Sequence, residues 1–160
     1  MEELHLDPFA LTKFNNSVLH KAAESGNIET IEYVLSLGLD EHALSTKKTS
    51  MIQKAAFRSL EAVQFFLNRG HDPYHVNLEG DSAIIIAAER GRKDVIQYLY
   101  ENYRLSLFAK DLEKSTAYEM AVKGSHKEVL EYLDEISAEN WANRHPFLAL
   151  RFDISKSLFR

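Results

Sequence analysis

The apolar residues of this chain fall into short stripes at helical spacing, broken at intervals by glycine and small polar residues. The stretch from Ser17 to Asp40, SVLHKAAESGNIETIEYVLSLGLD, shows the unit most fully. Ser17 can cap a helix by accepting from a free amide of the first turn, and Leu19, Ala22 and Ala23 then form a narrow apolar stripe. Gly26 ends that helix. A second is predicted from near Ile28, with Ile31, Val34 and Leu35 at helical spacing, and it stops at Gly38, which can adopt the left-handed conformation of a helix terminus. Each predicted helix has about ten residues or fewer, below the roughly 12 to 15 needed for marginal helicity in water. Packing against a neighbour must supply the stability.

That neighbour is another copy of the unit. Ala22, Ala55, Ala87 and Ala121 are separated by 33, 32 and 34 residues, a period that predicts a solenoid. Each has a hydroxyl five positions earlier (Ser17, Ser50, Ser82, Thr116) and an aliphatic or aromatic residue three earlier (Leu19, Ile52, Ile84, Tyr118). The second helices align on Tyr33, Phe65, Tyr98 and Tyr132, which are expected to pack between repeats. The second copy is one residue short near Ser59, and the third, with Ile84, Ile85 and Ile86, is expected to be the most buried. The connector from Glu101 to Ser106 carries an extra residue, with Asn102 expected to supply the left-handed conformation there.

At these positions the chain resembles the ankyrin repeat family, with SVLH, SMIQ, SAII and TAYE where the family has T-P-L-H. The resemblance covers roughly residues 7 to 136 and is most specific in the first copy. The motif's proline is absent from all four copies and only His20 keeps its histidine, which marks a divergent member of lower stability than an idealised array. The resemblance implies an all-α, ankyrin-type solenoid of paired antiparallel helices joined by hairpin-like connectors. It divides the chain into an array over 1–136, with an N-terminal cap over 1–16 and repeats at about 17–49, 50–81, 82–115 and 116–136, followed by a tail over 137–160. Phe9, Leu11 and Phe14 are expected in the cap. In the tail, Ser137 and Asn140 are expected to start a short helix that Pro146 ends or kinks. The tail's apolar residues, Trp141, Phe147, Leu148, Leu150, Phe152, Ile154, Leu158 and Phe159, either cover the end of repeat four or form a second contact surface.

The resemblance also implies where a partner is held, on a concave face of hairpin tips and exposed first-helix positions. Here those are Thr46, Lys47, Phe57, Arg58, Leu78, Glu79, Asp81, Glu89, Arg90, Leu112, Glu113 and Lys123, with Glu24, Ser25, Thr49 and Ser115 on the same face. Phe57, Arg58 and Arg90 stand out, because aromatic and arginine side chains dominate interface hot spots. For Phe57 a second outcome stays open, that the shortened turn rotates the ring into the core.

Composition narrows the function further. The 160 residues carry a formal charge of −5 with no basic run longer than two, which argues against a nucleic-acid partner. Zero cysteines exclude a disulfide scaffold and thiol chemistry, and favour a reducing compartment, the cytoplasm or, for a secreted effector, a host cytosol. The longest apolar run, Ala83 to Ala88, has six residues against the ~20 of a spanning helix, so no membrane partner is expected. His71 and His75 have the spacing of two ligands on a helix, but Pro73 puts them in a turn without a third ligand, so no metal is expected. The isolated glycines form no phosphate loop, and no cofactor is expected. The sequence therefore predicts a non-catalytic, monomeric protein–protein interaction module, a scaffold or adaptor. The alternative is the recognition part of a longer protein, or a host-directed effector, tethering an activity not present in this chain.

Overall fold

The computed structural model describes residues 17–144, so the expected cap over 1–16 and the tail beyond Arg144 lie outside the described residues. Eight helices follow in order: α1 Val18–Ser25, α2 Ile28–Ser36, α3 Met51–Ala55, α4 Leu60–Asn68, α5 Ala83–Glu89, α6 Lys93–Tyr103, α7 Ala117–Lys123 and α8 Lys127–Arg144. They pair as α1–α2, α3–α4, α5–α6 and α7–α8. The odd-numbered helices stack on one another in one layer and the even-numbered helices stack in a second. The four register alanines are the centre of the first layer: Ala22, Ala55, Ala87 and Ala121 are buried, and only a methyl group lets neighbouring helices approach this closely. Every apolar residue of α5 is buried, its three isoleucines included, and so is every apolar residue of α3.

The first helices begin alike because their caps are alike. Ser50 and Ser82 accept from the amides of Gln53 and Ile85 at 3.4 and 3.3 Å. The third helical residue then reaches back to the cap's own amide: Ser17 donates to His20 Nδ1 at 3.2 Å, Ser50 to Gln53 Oε1 at 2.9 Å, and Thr116 to Glu119 Oε2 at 2.8 Å. Ile85 holds that position in the third copy and its side chain offers no acceptor. Gln53 also spans two repeats, donating from Nε2 to the Asp81 carbonyl at 2.5 Å. Gln53 stands where the family's T-P-L-H has its histidine. In the first copy His20 is buried with Nε2 lacking a hydrogen bond of good geometry, beside the Thr49 backbone.

Between the pairs, three connectors close into hairpins by one recurring device. Ser45, Asn77 and Asp111 each accept, through a side-chain oxygen, from the amide four residues on (Thr49, Asp81, Ser115) at 3.0, 2.9 and 2.8 Å. Each tip turns through a residue at positive φ, Lys48, Gly80 and Lys114. Successive tips are then tied by their backbones, Leu78 N to Lys47 O at 2.8 Å and Leu112 N to Glu79 O at 2.9 Å. The three tips form a continuous row alongside the first helices.

The structure departs from the sequence expectations in four places. Arg104, not Asn102, takes the left-handed conformation, because α6 continues through Tyr103 while Asn102 donates from Nδ2 to the Tyr98 carbonyl. No new helix starts at Ser137: its hydroxyl donates to the Leu133 carbonyl at 2.8 Å inside an unbroken α8 that runs across position 136. Tyr33 is 66% exposed, whereas its counterparts are covered, Phe65 by Arg69 and Tyr132 by Lys93. Thr49 and Ser115, expected on the exposed face, are buried in their hairpins.

Candidate partner-binding face

The tips and the C-terminal ends of the first helices meet along one side of the stack. Its C-terminal half contains a cleft of about 580 Å³ between the second and third tips, α5 and α7. Glu79, Asp81, Glu89, Asp111, Leu112, Glu113, Met120, Lys123 and Gly124 line it. Seven of the positions derived from the sequence are close together here: Leu78 at the tip bonded to Lys47, and Glu79, Asp81, Glu89, Leu112, Glu113 and Lys123 in the cleft. Leu112 is 75% and Leu78 56% exposed. For aliphatic side chains this is costly in water and useful to a partner.

Five carboxylates, Glu79, Asp81, Glu89, Asp111 and Glu113, face one ammonium, Lys123, in this cleft. The two innermost are committed to the fold, Asp81 to the Asn77 amide group at 3.0 Å and Asp111 to its hairpin. Burial, and then the charges of Glu79, Asp111 and Glu89, push the Asp81 carboxyl above its ordinary value. Two of the three outer ones are held loosely. Glu89 lies 3.6 Å from Arg90, and Glu113 lies 3.7 Å from Lys123, both pairs largely exposed. Glu79 pairs with Lys47 across the first and second tips at 2.5 Å.

The N-terminal half is cationic and aromatic. Phe57 is half-buried, neither in the core nor free: Arg90 lies over its ring at 4.4 Å and Lys54 at 5.4 Å. Lys54 also lies 3.7 Å from Glu24, which Lys21 holds at 2.9 Å. Burial lowers the Lys54 ammonium from its ordinary value. Arg58 and Thr46 are exposed at the margin, apart from the cleft.

Sequence reasoning missed Asp111, Met120 and Lys54. Asp111 had a readable signal, since it occupies the same hairpin register as Ser45 and Asn77. Elsewhere, His71 and His75 do not converge. His75 Nε2 lies 2.6 Å from the Lys48 carbonyl, while His71 is buried between Phe66 and a stacked His42 whose ring centre is 4.5 Å away. Among the described residues no group of three or more His, Asp or Glu side chains is arranged to hold a metal ion, and no helix is long and apolar enough to cross a membrane.

This geometry agrees with the comparisons to known proteins. A family model described as ankyrin repeats, three copies, matches residues 51–143, more than half of the chain, starting at the second copy. A transient receptor potential cation channel subfamily A member 1 homolog of Caenorhabditis elegans is 25% identical over 134 residues, 82% of this chain and 11% of the relative. An ankyrin repeat and SAM domain-containing protein 6 of Danio rerio is 32% identical over 80 residues, 49% of this chain and 11% of the relative. Alpha-latrocrustotoxin-Lt1a of Latrodectus tredecimguttatus is 22% identical over 114 residues, 70% of this chain and 8% of the relative. The chain thus spans about a tenth of the length of these relatives. With helices paired and stacked in two layers, hairpin tips tied in a row and the family model matched over most of the described residues, the chain belongs to the ankyrin repeat family.

Proposed function

We propose that the chain is a non-catalytic interaction module that takes a partner protein on the concave face formed by hairpin tips and first helices. Ankyrin repeats are in general protein–protein interaction modules. The observation that carries the reading here is the pair Leu78 and Leu112, two aliphatic side chains more than half exposed on neighbouring tips at the mouth of a cleft. Other apolar side chains are exposed elsewhere, Tyr74 and Phe108 among them, but Leu78 and Leu112 are the ones on the tips beside the cleft. Interfaces of this kind place apolar anchors at the centre of a polar rim. The module acts as a monomeric scaffold or adaptor, and the absence of cysteine favours the cytoplasm.

The test is a comparison of proteins retained from lysate by the parent and by a Leu78→Asp, Leu112→Asp variant. Both side chains are exposed, so the variant keeps the parent's melting temperature. A partner held by the parent and lost by the variant is the expected result. Equal retention by both contradicts the reading.

A second reading is favoured by the length of the relatives, of which this chain spans 8 to 11%. In it the repeats are the recognition part of a longer protein, a host-directed effector included, that tethers an activity elsewhere in the polypeptide. The mass of the natural protein decides between the two.

A further inference from the structure

The cleft beside the second and third tips has an apolar floor at the half-buried Met120, with the exposed Leu112 at its mouth. An apolar floor accepts many side chains; the walls decide among them. Glu79 and Glu113 stand on the two tips and Glu89 at the end of α5; Lys123 is the one ammonium lining the cleft, while Lys47 pairs with Glu79 from the first tip and Arg90 lies beside Glu89. None of the three glutamates is needed for the hairpins, whose closing bonds come from Asn77 and Asp111. Their existing ion pairs are exposed, and those of Glu89 and Glu113 are 3.6 and 3.7 Å long, so an incoming cation can replace them at little cost. Deeper in, burial and the neighbouring carboxylates Glu79, Asp111 and Glu89 already hold the Asp81 carboxyl above its ordinary value. The crowding of negative charge is thus felt inside the cleft, where a cation gains more than in open water.

We propose that this groove docks an extended segment of a partner protein in which a lysine or arginine is flanked by aliphatic residues. The aliphatic side chains cover Leu112, Met120 and the neighbouring Leu78, and the cation sits between Glu89 and Glu113. The cleft volume, about 580 Å³, falls in the range of sites that enclose a few side chains, roughly 300–1,000 Å³. An acidic or neutral segment lacks the charge to match these walls, and like charges set against each other disfavour the wrong occupant. The proposal rests on the reading that this face takes a partner, and adds the partner's chemistry.

The experiment uses the full chain and three fluorescein-labelled nonapeptides, Gly-Leu-Arg-Leu-Gly-Leu-Arg-Leu-Gly and its counterparts with glutamine or glutamate for arginine. Fluorescence anisotropy is read at low salt. The arginine peptide binds, the glutamine peptide binds on the order of tenfold more weakly, and the glutamate peptide weaker still. A Glu89→Gln, Glu113→Gln variant, checked to melt with the parent, loses most of the preference for arginine, and added salt does the same in the parent. Equal binding of the arginine and glutamine peptides, tighter binding of the glutamate peptide, no binding of the arginine peptide, or an unchanged preference in the variant overturns the proposal. Self-association of the chain that the arginine peptide displaces gives the groove to a second copy and also overturns it. These failures leave the concave-face reading standing if the Leu78→Asp, Leu112→Asp variant still loses its partner. If that variant keeps its partner, the face itself has been assigned wrongly.

Discussion

The guanidinium of Arg90 lies over the Phe57 ring, 4.4 Å from the ring centre, and joins the third repeat to the second. Each residue is read from the sequence as a separate anchor for a partner; together they form an internal contact that a partner must share or displace. The exposed apolar side chains on the tips beside the cleft are Leu78 and Leu112. A groove that is cationic and aromatic at one end and acidic at the other follows from this division.

Gln53 ties the second first-helix to the next hairpin. Its side chain accepts from the Ser50 amide at 2.9 Å and donates to the Asp81 carbonyl at 2.5 Å, and it is buried. Replacing it with alanine leaves the Ser50 amide without its partner and the Asp81 carbonyl with the Asn77 amide alone. Gln53→Ala is expected to cost about 1–3 kcal/mol in urea unfolding, and Gln53→His, the family's own residue, less. Equal stability of parent and alanine variant would remove Gln53 from the account.

Gly80 serves two needs at once. Its φ is +80°, and a Cβ there would lie 2.9 Å from the Leu112 amide nitrogen. Lys48 and Lys114 show that the turn tolerates a side chain at positive φ, so the close approach of the next tip is the added constraint. Gly80→Ala is expected to lower stability by about 1–3 kcal/mol and to speed hydrogen exchange at the Leu112 amide, which bonds the Glu79 carbonyl. Unchanged exchange at that amide would contradict the role given to the tip row.

Most of the fold was legible, because a period and a cap are local signals. The four alanines, the hydroxyls before each first helix and Gly26 at the end of α1 all sit where the sequence puts them. What was not legible depends on choices between two local options. Ser137 can cap a helix or bond back within one, and it does the latter because α8 is already continuous there. Asn102 and Arg104 compete for one left-handed position, and the extra residue of the connector lengthens α6 instead of the loop. The cleft was legible in part, without Asp111 and Met120, and not as a shape. The family resemblance implies Glu79, Glu89 and Glu113 as positions of one face, and only the stacking of tips brings their charges together.

Acid should weaken the stack through two buried histidines. Burial, and then Lys54, lowers the His20 pKa below the ordinary 6.5, and burial, then His42, lowers that of His71, with Glu41 opposing and Arg69 adding to the fall. A lowered histidine pKa means that the unfolded chain binds protons first as pH falls. Stability from both rings is therefore full above about 6.5 and declines as pH drops from there toward the lowered folded values. Asp81, raised by burial, acts in the opposite sense within the carboxylate range, where it gains stability on protonation. Unfolding free energies measured at about pH 7.5 and about pH 5.5 should show a loss in the parent and a smaller loss in a His20→Gln, His71→Gln variant. Equal losses in both would rule out the histidines as the cause.

The partner face is tested most directly by photo-crosslinking. A benzophenone amino acid is placed at Leu112 in one protein and at Gln97, exposed on the second-helix layer, in another. Irradiation with the captured partner should join it to the protein labelled at Leu112 and leave the protein labelled at Gln97 uncoupled. Crosslinking from Gln97 and none from Leu112 would contradict the assignment of the hairpin-tip and first-helix face.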